Sequence, residues 1–77
     1  MEKNPNKYIG NKLRRQRTEK KIKQDTIAKQ INVSKSYISK IESGTIKVTA
    51  ILLVKYCIAI GEDYISIIND IAEMIAS

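Results

Sequence analysis

The run from Ser34 to Ser43 holds the side chains best suited to bind something. Lys35, Ser36, Ser39 and Lys40 take its polar positions, while Ile38 and Ile41 interrupt it at a spacing of three. Ammonium and hydroxyl groups in this pattern form hydrogen bonds to acceptor-rich partners. Lysine donates to guanine O6 and N7, and serine donates or accepts, so the chemistry on offer is non-covalent recognition. Catalysis lacks its usual parts. There is no histidine and one cysteine in the 77 residues. That excludes an intrachain disulfide, a zinc site built on His and Cys, and ordinary His-based acid–base chemistry. Cys57 lies among Val54, Ile58 and Ile60 and reads as a buried, inert thiol. Glu62 and Asp63 are adjacent at a helix start, where capping and the helix dipole account for them. No metal, cofactor or enzymatic activity is expected.

Charge points the same way. Fourteen Lys and Arg against eight Asp and Glu leave a formal net charge of +6. Such a surplus on a small domain favours a polyanionic partner, although charge alone leaves nucleic acid and no specific partner equally open. The N-terminus is polar rather than a secretory leader. The longest apolar patches, 51–54 and 57–60, fall far short of the ~20 residues that span a bilayer. One small cytoplasmic domain with no membrane contact is the expectation.

The elements that must position these side chains are helices. Residues 1–6, with Pro5, read as a flexible arm, and residues 7–77 as the folded domain. Ile9, Leu13 and Arg17 form one stripe of a first helix from about Tyr8 to Glu19, with Lys12, Arg14 and Arg15 around it. Lys20 to Lys23 is a break. Ile27, Ala28 and Ile31 give a second helix, from Gln24 to Gln30, its apolar face. Lys23 is a poor N-cap, which Asp25 partly offsets. Asn32 tolerates a left-handed turn. Ser34 caps a third helix that ends at Ser43 and Gly44. Thr45 to Val48 is an extended loop, Thr49 caps a fourth helix to Ile60, and Gly61 ends it. A fifth helix runs from about Asp63 to Ala76. The spacing of helices 2 and 3 fits a helix-turn-helix, and on spacing alone also an ordinary helical hairpin.

Gln24-Asp25-Thr26-Ile27-Ala28 followed by Val33-Ser34-Lys35-Ser36-Tyr37-Ile38-Ser39-Lys40-Ile41-Glu42-Ser43-Gly44 resembles the helix-turn-helix of the lambda-repressor and Cro class, also called the XRE family. The resemblance covers most of the chain, from Ile9 to Ile68. It implies an all-α, five-helix, lambda-repressor-like DNA-binding domain. It implies that Gln24 binds a phosphate and supports helix 3, and that Lys35, Ser36 and Lys40 read bases, with Ser34, Tyr37 and Ser39 close enough to assist. It also implies a buried ion pair, Arg17–Glu42, and close approach of helices 2 and 3 at Ala28. Lys23, Ser34, Arg14, Thr45 and Lys47 are further candidates for DNA phosphates, as are Lys7 and Lys12. The sequence departs from the family pattern at Lys21 and Asn32, where glycine is usual, at Lys23, and at Val48, where proline is common. Lys21 is expected to adopt left-handed geometry or to alter the loop.

Proteins of this class pair across palindromic sites. Tyr64, Ile65, Ile68, Ile71, Met74 and Ile75 on helix 5 offer a dimer contact, or else simply close the monomer core. The expected partners are double-stranded DNA, a second copy of the chain, and a possible regulatory protein; no domain is expected to sense a small molecule. The functional expectation is a sequence-specific transcriptional regulator acting as a homodimer on a palindromic operator. The alternative is an antitoxin-like or other protein-interaction module with the same helices.

Overall fold

Left-handed residues punctuate the chain. The computed structural model describes residues 5–76. Among them are five helices and no strand: α1 (Pro5–Glu19), α2 (Gln24–Ile31), α3 (Lys35–Ser43), α4 (Ala50–Ile60) and α5 (Tyr64–Ala76). Lys21, Asn32, Gly44 and Gly61, at φ 58, 61, 77 and 71°, follow the first four in turn. Gly44 and Gly61 each turn their N–H back onto carbonyls of the last helical turn, the usual way a glycine closes a helix. Lys21 does take the left-handed geometry expected of it, at a cost of roughly 1–2 kcal/mol for a side chain bearing Cβ. Glycine there removes that strain but adds ~0.5–1 kcal/mol of backbone entropy to lose on folding. Lys21→Gly is therefore expected to stabilise the protein by about 0.5–1 kcal/mol, read as a higher urea midpoint at unchanged m-value.

The start of α1 corrects the sequence reading. Pro5 and Asn6, assigned to the arm, are helical; residues 1–4 lie outside those described. Proline suits the first helical position because its missing N–H would have no partner there anyway. Asn6 Oδ1 in turn accepts the Val48 N–H at 3.2 Å, tying the loop before α4 to α1. Ser34 and Thr49 cap α3 and α4 as expected, accepting the N–H of Tyr37 and of Leu52. Lys23 makes no side-chain cap, so the amide end of α2 stays open.

The core draws on every helix: Ile9 and Leu13, Ile27 and Ala28, Ile38 and Ile41, Leu53, Tyr56, Cys57 and Ile60, then Ile67. Gly10 lets α1 cross the end of α3 at backbone contact. A Cβ there would stand 2.2 Å from the Ile41 carbonyl oxygen and 2.8 Å from that of Glu42. Helix α5 is held more lightly. Ile67 is its one fully buried residue, Ile71 packs partly against the core, and Lys12–Asp70 at 2.8 Å joins it to α1. Lys20 bonds the Ile60 carbonyl at 2.8 Å and Glu62 at 3.1 Å, closing the α4–α5 corner. Asp63 caps α5 through the Ile65 N–H. Cys57 is fully buried, and burial, then the nearby Glu62 and Asp63 charges, push its thiol up to about 11, which keeps it protonated and unreactive at neutral pH. None of the described helices is long and apolar enough to cross a membrane.

Candidate nucleic-acid interface

Helix α3 has two unlike faces. Ile38, Ile41 and Glu42 are buried. At about 100° per residue, the opposite side carries Ser36, Lys40 and Ser43, with Lys35 and Ser39 flanking; all five are exposed. Ser34 is exposed as well, and its Oγ accepts the Tyr37 N–H at 3.0 Å, which leaves its own hydroxyl proton free for an outside acceptor. Tyr37 departs from the sequence reading. It is half-buried, packs against the core, and lines a groove with Ile31, Val33, Thr49, Ile51 and Leu52. It lies about 100° around the helix from Ser36, on the side that faces this groove rather than beside the exposed residues. Ser43, seven residues after Ser36, lies on the same exposed line of α3, which helical periodicity alone could have found.

Beside this edge, Arg14, Gln24, Ser39, Glu42 and Ser43 line a notch of about 250 Å³. Arg14 comes from α1, Gln24 from the uncapped start of α2, and the rest from α3. Glu42 at its floor is the hub of a network. Arg17 grips it in a two-pronged bond, Nε to Oε2 at 2.7 Å and Nη2 to Oε1 at 2.9 Å. Gln24 Nε2 donates to Oε1 at 3.0 Å, and the Tyr56 hydroxyl donates to Oε2 at 2.5 Å. The remaining Arg17 prong donates to the Ile22 carbonyl at 2.7 Å, fixing the break before α2. The pair is buried, with side chains 11% and 3% exposed. Burial alone would raise the Glu42 carboxyl; the bonds from Arg17, Tyr56 and Gln24 outweigh it and hold the group below its ordinary value. The bond to Glu42 raises Arg17 further. Burial, then the carboxylate, raises Tyr56.

The other phosphate candidates surround the edge. Lys23, Lys47, Thr45 and Arg14 are exposed. The Ser43 hydroxyl donates to the Lys40 carbonyl at 3.1 Å, and the Thr45 hydroxyl, 2.6 Å from it, then donates to Ser43. Lys12, by contrast, is turned away from this surface and spent on Asp70. Among the described residues no group of three or more His, Cys, Asp or Glu could hold a metal ion.

The helix-5 stripe divides. Tyr64, Ile65, Ile68 and Ile75 are exposed, whereas Ile71 and Met74 are partly buried on the inner side with Ile67. Ile71 packs against the core. Two apolar residues escaped the sequence reading: Ile51 and Ile58, on the outer face of α4, are 69% and 64% exposed.

The comparisons agree with this geometry. The helix-turn-helix family matches residues 13–65. A crystal structure of the clp gene regulator ClgR from C. glutamicum has a TM-score of 0.85 at 27% identity, covering 95% of each chain. A second ClgR structure has a TM-score of 0.86 at 28% identity, covering 99% of this chain and 81% of the other. The restriction-modification controller protein C.AhdI from Aeromonas hydrophila has a TM-score of 0.70 at 28% identity, covering 75% of this chain and 88% of its own. No curated protein matches. With the motif, its two-faced third helix and these likenesses together, the chain belongs to the helix-turn-helix family of DNA-binding transcription regulators.

Proposed function

We propose that the protein is a sequence-specific regulator that binds a palindromic operator as a homodimer. The observation that carries this is the division of α3: Ile38, Ile41 and Glu42 hold it from within, leaving Ser36, Lys40 and Ser43 outward with Lys35 and Ser39 beside them. Those outward groups read bases in the major groove. Gln24, Lys23, Ser34, Arg14, Thr45 and Lys47 hold backbone phosphates on either side. Lysine and serine are less selective than arginine or glutamine forks, so part of the specificity comes from DNA shape and from paired half-sites. The pairing surface is the exposed stripe Tyr64, Ile65, Ile68 and Ile75, joined by Ile51 and Ile58 on α4. ClgR and C.AhdI, a gene regulator and a controller protein by name, support a role in transcription.

Selection of bound sequences from randomised duplexes tests the reading. A palindrome with half-sites about one helical turn, or a multiple of it, apart is the expected product. Affinity should fall steeply between low and moderate salt. Lys47→Ala should weaken binding to all duplexes alike, while Lys40→Ala should change the preferred base. Equal, uniform loss in both variants would refute that division of roles, and a monomeric mass by sedimentation on the operator would refute the dimer. The exposed isoleucines of α4 also favour a second reading, an antitoxin-like module whose main partner is a protein. Absence of DNA binding at low salt would select it.

A further inference from the structure

The Glu42 carboxylate connects the surface notch to the centre of the core. Its two oxygens accept two bonds each, from Arg17 and Gln24 on one and from Arg17 and Tyr56 on the other. Gln24 is half-exposed in the notch; Tyr56 is fully buried on α4. A carboxylate only accepts, so Gln24 must present its nitrogen to Glu42 and not its carbonyl oxygen. A phosphate likewise only accepts. The amide nitrogen carries two hydrogens fixed in one plane, so once the first points at Oε1 the direction of the second is set. The attitude of the carboxylate therefore governs where the free N–H of Gln24 points. Tyr56 is a fixed post for that carboxylate. Its ring is enclosed by the core and its hydroxyl meets Oε2 from α4, whereas the Arg17 fork comes from α1.

We infer that Tyr56 is a positioning residue for DNA binding: its hydroxyl orients Glu42 so that one Gln24 N–H is taken up inside and the other is left for a backbone phosphate seated between Gln24 and Arg14. This rests on the DNA-binding reading above. A purely structural Tyr56 would satisfy a buried carboxylate and affect stability alone. The two roles differ in whether the effect of Tyr56 on DNA requires Gln24.

A double-mutant cycle on the full chain separates them. Wild type, Tyr56→Phe, Gln24→Ala and the double variant are compared for affinity to the selected duplex by fluorescence anisotropy, at a temperature where circular dichroism shows all four folded. Tyr56→Phe is expected to weaken binding by about threefold or more in the wild-type background and to add nothing once Gln24 is alanine. The same loss in both backgrounds, or no loss in either, overturns the inference. Should Tyr56→Phe fail to fold, the Gln24 side-chain protons of the wild type serve instead. On titration with duplex, one of the two NMR signals should shift and its inward partner stay put; two unmoved signals overturn the inference. Wild-type protein that binds no duplex at low salt removes the underlying reading, and does so before any variant is made.

Discussion

Glu42→Gln is expected to remove a large share of the protein's stability. The substitution keeps the shape of the side chain, so no cavity contributes. It removes the charge that faces Arg17, and places an amide NH2 where only acceptors fit, against the donors of Arg17, Tyr56 and Gln24. Removing one partner of a buried pair costs roughly 3–5 kcal/mol, because the other charge is stranded. Against the ~5–15 kcal/mol of a typical domain this is a large share, and a fall in Tm on the order of 15–30 °C follows for a chain of this size. The pH dependence supplies a second signature. Glu42 titrates below its ordinary value in the folded state, so its contribution is complete above the unfolded carboxylate pKa and is lost as the pH falls through the folded one. The wild type should therefore lose stability in acid more steeply than Glu42→Gln, and the two melting curves should converge at low pH. A variant that melts within a few degrees of the wild type at neutral pH would mean that the pair is not energetically buried.

Gly10→Ala is the second large effect, and its sign is the informative part. Within a helix, alanine is ordinarily favoured over glycine by about 1 kcal/mol. Here the added methyl meets the Ile41 and Glu42 carbonyl oxygens at 2.2 and 2.8 Å. Both are backbone atoms of α3, and neither can turn aside as a side chain would. Helix α1 must lift from α3, which draws Leu13 and Arg17 away from their partners. Overpacking of cores costs ~1–3 kcal/mol where side chains absorb it, and a backbone obstacle should reach the top of that range or exceed it. Thermal melting should show a drop of roughly 10–20 °C. A melting point equal to or above the wild type would place α1 farther from α3 than described.

What could be read in the sequence depended on how local the cause was. Ser34, Gly44, Thr49 and Gly61 act on their own helix ends, so the limits of α3 and α4 were visible in one dimension. Arg17 and Glu42, 25 residues apart, could be paired only through the family motif, since neither has a local signature. Gly10 carries no local sign of its role, because its reason lies on another helix. Tyr56, between the apolar patches 51–54 and 57–60, carries no local sign of a role; its hydroxyl matters only because α4 delivers it to Glu42. The six residues of the helix-5 stripe share an apolar character and one helix. Helical phase separates them, turning Ile71 and Met74 inward and leaving Tyr64, Ile65, Ile68 and Ile75 outside. Tyr37 shows the same effect, as proximity in sequence to Ser36 is not proximity on the helix surface.

The separation of the two faces of α3 bears on how such a protein diverges. Ser36, Lys40 and Ser43 make no contact with the core, and exposed substitutions of this kind usually change stability by within about ±0.5 kcal/mol. Ile38, Ile41 and Glu42 alternate with them along the same short helix and tolerate little. Under the proposed reading of bases by these residues, new target sequences are reachable by single substitutions that never pass through an unfolded intermediate. Duplicate copies of this chain could drift apart in the DNA they address while remaining interchangeable as folded bodies.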